Sequence, residues 1–165
     1  MTQHFLSMRQ VANLLGISQL VTIQRLVASG WIIDPDVELG DEQHISRGWT
    51  RERIVAWGVE TGRLAADGVT PVRHPGGRPK KGDKPPAHWR KTPARYLSLA
   101  QSAELLGLAP ISARIARSQG RYCTPDIELG EGKGGTEPGF LPSTIRTWGR
   151  QTGRLLPSGE RPGRS

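Results

Sequence analysis

The sequence predicts a mainly α fold with small β-hairpins, arranged as two tandem winged helix-turn-helix domains joined by a flexible basic linker. Three observations predict it. One pattern of ~60 residues occurs twice, each occurrence opens on a helix-capping motif and ends its first helices at glycine, and the stretch between the two is basic and rich in Gly and Pro. Leu6 to Leu64 returns as Leu97 to Leu155: LSMRQVANLLGI aligns with LSLAQSAELLGL, DPDVELG with TPDIELG, and GWTRERIVAWGVETGRL with GFLPSTIRTWGRQTGRL. The implied boundaries are 1–64 and 97–156 for the two domains, 65–96 for the linker and 157–165 for a flexible basic tail.

Each copy begins with Ser-x-x-Gln, Ser7 to Gln10 and Ser98 to Gln101. In such a capping box the hydroxyl accepts the Gln backbone N–H while the Gln side chain reaches back to the cap. The helix stops at Gly16 or Gly107, because glycine takes the left-handed conformation past a helix end without strain. A second helix follows almost at once, entered at Ser18 in copy one and at Ala109-Pro110 in copy two, and ends at Gly30 or Gly120. DVEL and DIEL read as short strands, and a polar loop (40–47; 130–138) leads back through Gly-Trp49 or Gly-Phe140, forming a hairpin or wing. A third helix starts at Thr50 as N-cap or with Pro142 at its first position. It sets Ile54 and Trp57, or Ile145 and Trp148, on one face at i, i+3 spacing.

Composition excludes other classes. Apolar residues make up 35% of the 165, below the ~45–50% of an ordinary domain, so small cores rather than one large one are expected. No run reaches the ~18 apolar residues of a membrane span, and MTQHFLSMRQ lacks the basic-then-apolar order of a secretory signal. A single cysteine, Cys123, permits neither an internal disulfide nor a thiolate zinc site. A soluble protein of the cytoplasm follows.

The net charge of +8 is unevenly placed. Residues 1–64 hold 6 basic and 7 acidic side chains, 65–96 hold 8 and 2, and 97–165 hold 9 and 6. A basic excess of this kind suits a polyanion partner. The central 32 residues include 10 Gly or Pro, read as a linker disordered when free. Within it Gly77-Arg78-Pro79-Lys80-Lys81 resembles an AT-hook core, in which Arg-Pro lies in the minor groove and Lys80 and Lys81 hold phosphates; a generic polybasic tether is the alternative reading, and both imply affinity for DNA. Trp89-Arg90-Lys91 is expected to pack on copy two. At roughly 5–6 Å × √n, the linker reaches ~30 Å, close to one helical turn of DNA.

The order of motifs LLGIS, TIQRLVASG, PDVELG and GWTRERIVAW, with its counterpart in copy two, resembles the small MerR-superfamily, excisionase-like winged helix-turn-helix modules of actinobacteria and their phages. The likeness covers about 120 residues and leaves out the central segment. It departs in two places: an extra residue precedes Thr22, and Ala113, Ala116 and Arg117 replace apolar helix positions. The resemblance implies a nucleoid-associated, double-stranded DNA-binding transcription regulator, a repressor of phage or mobile-element origin. Its second helices would lie in the major groove. Gln19, Thr22, Gln24 and Arg25 in copy one, and Ser112, Arg114 and Arg117 in copy two, would then face the bases, since Gln bridges adenine and Arg bridges guanine. The wing tips would offer His44, Arg47 and Lys133 to phosphates or the minor groove. The alternative is an architectural recombination factor that bends DNA and contacts an integrase. RNA polymerase is the other candidate protein partner, and the internal duplication makes a monomeric pseudo-dimer sufficient.

Catalytic and cofactor chemistry is not expected. Gly130 to Gly135 satisfies G-x-G-x-x-G but does not lead from a strand into a helix, as nucleotide binding requires. His4, His44, His74 and His88 are scattered without metal-ligand spacing. Cys123 aligns with Ile33 and reads as a small buried hydrophobe. Asp34/Asp36 and Asp126/Glu128 read as turn residues at a strand junction.

Overall fold

A computed structural model describes residues 1–73, 82–130 and 135–155 of the chain. Copy one contains β1 (Gln3–Ser7), α1 (Met8–Leu14), α2 (Leu20–Ser29), β2 (Val37–Gly40), β3 (Ile45–Trp49) and α3 (Arg51–Glu60). A 3₁₀ turn (Ala87–Trp89) and β4 (Ala94–Tyr96) follow in the central segment, and copy two supplies α4 (Leu99–Leu105), α5 (Pro110–Ser118), β5 (Ile127–Leu129), β6 (Glu137–Gly139) and α6 (Pro142–Gln151).

Local sequence chemistry accounts for most element ends. Both capping boxes form: Gln10 N–H donates to Ser7 Oγ and Ser7 N–H to Gln10 Oε1, and Ser98 with Gln101 repeats the pair. Pro110 and Pro142 occupy first-turn positions, where a missing N–H removes no helix bond. The second helix of copy one starts later than Ser18 suggests, with Gln19 as N-cap and no side-chain cap bond. Gly58 and Gly149 sit at equivalent points of α3 and α6, where an added Cβ would lie 2.7 Å from Leu64 and 2.8 Å from Leu155. Only glycine lets the chain fold Leu64 and Leu155 back onto their helices.

The sheet overturns the expected fold class. Strands from both copies and from the central segment enter one six-stranded mixed sheet in the order β4-β2-β3-β1-β5-β6. With six helices among the described residues, 39% of them helical and 19% in strands, this is a mixed fold and not a mainly α pair of winged helix-turn-helix domains on a flexible linker. The physical reason lies in β1 and β4. β1 buries the adjacent Phe5 and Leu6 rather than alternate residues, and β4 has three residues in a Pro-rich context, so neither shows a period-2 pattern. Those are the strands that make two hairpins into a sheet.

Two compact units are present: Phe5–Glu38 with Arg47–Ala94, and Met1–His4 with Leu39–Ser46 and Arg95–Ser165. In the first unit, Val11, Ile23, Trp49, Ile54, Trp57 and Leu64 pack into one core. The described part of the central segment belongs to it as well. Trp89 is 5% exposed and meets Trp31 and Trp57 edge-on, at centroid distances of 6.3 and 6.1 Å. Its indole N–H donates to Glu60, Arg90 pairs with Asp34 and Lys91 with Asp36. Upstream, Asp67 accepts the Thr70 hydroxyl and the Thr70 and Val69 N–H groups, which lower its carboxyl pKa to about 2. Trp89-Arg90-Lys91 thus packs on copy one, where aromatic and acidic partners await it, and not on copy two.

The second unit rebuilds the core with different volumes. Val11 becomes Ser102, Ile23 becomes Ala113, Trp49 becomes Phe140 and Ile32 becomes Tyr122. The larger Tyr122 fills space left by the smaller residues, stacks against Phe140 and Trp148, and bonds Ser102 Oγ at 3.0 Å, so the buried hydroxyl pair is satisfied. Cys123 is buried, and burial followed by the nearby Asp126 charge raises its thiol pKa, as suits a packing residue.

Candidate nucleic-acid interface

The second helices present exposed polar side chains. In α2, Ile23 is fully buried, Leu26 and Val27 are half-buried, and Gln19, Gln24 and Arg25 are exposed, with Thr22 half-buried beside them. In α5, Ala113 is the buried contact, while Ser112 and Arg114 are exposed. The side chains of Arg25 and Arg114 form no ion pair or hydrogen bond with any described residue. They stand at adjacent points of the repeat, since Arg114 aligns with Gln24 and Ile115 with Arg25.

Two other predicted cations are engaged. Arg47 donates to Glu38 at 3.3 Å, and Arg117 to Glu128 at 2.8 Å. Glu38 and Glu128 are equivalent residues, so each copy anchors one arginine on the same strand position, from β3 in one case and from α5 in the other. Glu128 also lies 3.8 Å from His4. His44 is exposed at the hairpin tip, where Asp41 accepts the His44 and Gln43 N–H groups and is thereby held below the usual carboxylate range. Arg78, Lys80, Lys81 and Lys133 lie outside the described residues.

Within the second unit a cleft of about 1110 Å³ brings His44, expected at the wing tip of copy one, beside Arg114 and Arg117, expected on the second helix of copy two. Asp41, Glu104 and Glu137 line it too. Three carboxylates there face the two guanidinium groups of Arg114 and Arg117.

Ile111 and Ile115, 57% and 49% exposed, were not foreseen as surface residues. The i, i+4 spacing puts them on one stripe of α5, and the signal was available in their alignment with Val21, itself 42% exposed, and Arg25. Apolar side chains on such a face suit the thymine methyl group.

The acidic residues at the turn-to-strand junction do more than shape turns. Asp36 Oδ2 accepts the Thr50 N–H and hydroxyl, and Asp126 Oδ2 accepts the Leu141 N–H, so each carboxylate braces the start of a third helix. Among the described residues no three His, Cys, Asp or Glu side chains are grouped to hold a metal ion, and no helix is long and apolar enough to cross a membrane. Comparison with models of known protein families, with curated proteins and with solved structures returned no match to this chain.

Proposed function

We propose that this chain is a sequence-specific double-stranded DNA-binding protein, a transcription regulator of the repressor kind, which applies two homologous helix faces and a basic segment to one duplex. The observation that carries this reading is the repeated exposure on α2 and α5 of side chains able to read bases, each face with a guanidinium that has no partner among the described residues, Arg25 or Arg114. An α-helix fits the major groove, where Arg bridges guanine O6/N7 and Gln bridges adenine N6/N7. The net charge of +8 supports a polyanion partner. Arg90 and Lys91 are occupied by Asp34 and Asp36. The phosphate-binding role in the central segment is assigned to Arg78, Lys80 and Lys81, the basic cluster within GRPKK. A cytoplasmic, nucleoid-associated location belongs to the same reading.

Selection from a random duplex pool at physiological salt tests it. Two enriched half-sites at fixed spacing are the expected result, and no enrichment would overturn it. Enrichment of A·T content alone, with bending of the bound duplex, would favour the architectural alternative. On the selected site Arg25→Ala should cost ~1–3 kcal/mol and relax preference at one base pair; a uniform loss across sequences would make Arg25 a phosphate contact instead.

Triple replacement of Arg78, Lys80 and Lys81 by alanine should weaken binding to every sequence. It should also flatten the plot of log affinity against log salt by up to about 3, near one per lost phosphate contact. An unchanged slope would remove that segment from the interface.

A further inference from the structure

Copy one displays what the outer face of its third helix binds, because the chain's own segment 86–91 lies on it. The Asp34 N–H donates to the Trp89 carbonyl at 2.9 Å, and the Lys91 N–H donates back to the Asp34 carboxylate at 2.9 Å. Trp89 rests against Trp57 while its indole N–H reaches Glu60 at 3.2 Å. This is a peptide held by main-chain bonds, an aromatic anchor and acidic partners for its basic residues.

The equivalent face of copy two is open among the described residues. A pocket of about 440 Å³ lies there, lined by Cys123, Thr124, Ser143, Thr147, Trp148 and Gln151. Thr124, Trp148 and Gln151 are the counterparts of Asp34, Trp57 and Glu60, the residues that hold segment 86–91. Trp57 is 2% exposed, whereas Trp148 is only half-buried. The Thr124 N–H, equivalent to the donor that takes the Trp89 carbonyl, has no acceptor among the described residues.

The charge of the face is reversed. Asp34, Glu52 and Glu60 become Thr124, Ser143 and Gln151, while Trp31 and Val59 become Arg121 and Arg150; Val55, the counterpart of Arg146, lies on the other flank of its helix, beside Gly68. The one opposing change is Arg53 to Thr144. A segment as basic as 86–91 is repelled by such a rim, which excludes the same segment of a second copy. Residues 156–165 hold two arginines, one glutamate and no aromatic residue, so they are no complement either. We propose that the pocket beside Trp148 binds an acidic peptide segment of a partner protein, with an aromatic side chain seated against Trp148 and its carboxylates facing Arg121 and Arg150. A peptide fits better than a nucleic acid because the retained features, the free main-chain donor and the indole, are those that hold a peptide in copy one.

The test uses the full chain, isotope-labelled, titrated with nine-residue synthetic peptides that carry a central Trp flanked either by Asp and Glu or by Lys and Arg. The acidic peptide should bind at least tenfold more tightly than the basic one and shift the Thr124 amide and Trp148 indole signals. Arg121→Glu with Arg150→Glu, both at exposed positions, should abolish that binding and reverse the preference. Thr147→Trp, which fills the pocket and leaves the charges in place, should block it equally, with circular dichroism checking that both variants fold. Equal binding of the two peptides, no binding, or shifts confined to other surfaces would overturn the proposal. So would a ten-residue oligothymidine that moves the same signals at higher affinity than the acidic peptide, since the site would then be one for single-stranded nucleic acid.

Discussion

Replacing Trp89 with alanine is expected to destabilise the protein by ~3–5 kcal/mol, the usual range for removing a buried tryptophan. The expectation rests on where the residue lies. Trp89 is 5% exposed inside the core of the first unit, where it touches Trp31 and Trp57 and donates its indole N–H to Glu60. Truncation leaves a cavity between two indoles and strips a hydrogen bond from Glu60, whose carboxyl is held low first by His88 and then by Trp89. The same substitution in a free linker would cost no more than ~0.5 kcal/mol, as for an ordinary surface position. Urea unfolding of wild type, Trp89→Phe and Trp89→Ala distinguishes the two cases. A graded loss with Phe in between is expected, and a change under ~1 kcal/mol for alanine would show that segment 86–91 is not part of the core.

The contrast between Trp89 and Ser7 shows which parts of the fold were legible. Ser7 and Gln10, Gly16 and Pro110 act on neighbours within a few residues, and Ile54 and Trp57 share one helix face, so their patterns survive in the sequence. Trp89 acts across 29 residues on Glu60, and Lys91 across 55 on Asp36. No period or spacing records such pairings. A Pro/Gly-rich composition pointed to a chain without a core of its own. It gave no account of a core elsewhere with room for one of its tryptophans. The strands β1 and β4 were hidden for the same reason, being defined by their neighbours in the sheet.

The candidate interface was legible to a similar degree. Exposure of Gln24, Arg25, Ser112 and Arg114 follows from helical periodicity around Ile23 and Ala113. Helical and strand periodicity could not tell a free arginine from a tethered one, because Arg47 and Arg117 find Glu38 and Glu128 on a different element or across a hairpin. The pocket beside Trp148 is a property of the folded surface, formed by residues of α6 and of the turn before β5. There the conserved indole and the reversed charges could be compared position by position.

Removing the Asp36 carboxylate should cost about 3 kcal/mol, and the loss should depend on pH. Asp36 is 5% exposed and accepts from the Thr50 N–H at 2.9 Å, Arg53 at 2.8 Å and Lys91 Nζ at 2.7 Å. It thereby ties the start of α3 to the central segment within the first unit. Breaking a buried ion pair from one side costs ~3–5 kcal/mol, and the low end applies because the Lys91 and Arg53 side chains keep access to water. Burial alone would raise the Asp36 pKa, but the hydrogen bonds from Lys91, Thr50 and Arg53 outweigh it, and the carboxyl titrates below its ordinary value. A carboxylate whose pKa is lowered by folding contributes its full stabilisation above the unfolded pKa of ~3.9 and loses it as pH falls through the folded value. The gap in unfolding free energy between wild type and Asp36→Asn should therefore be constant from pH 8 to about pH 5 and shrink steadily towards pH 2. If the gap stays the same at pH 2 as at pH 7, the stabilisation comes from packing rather than from the charged carboxylate. The brace between α3 and the central segment would then have to be assigned to neutral contacts.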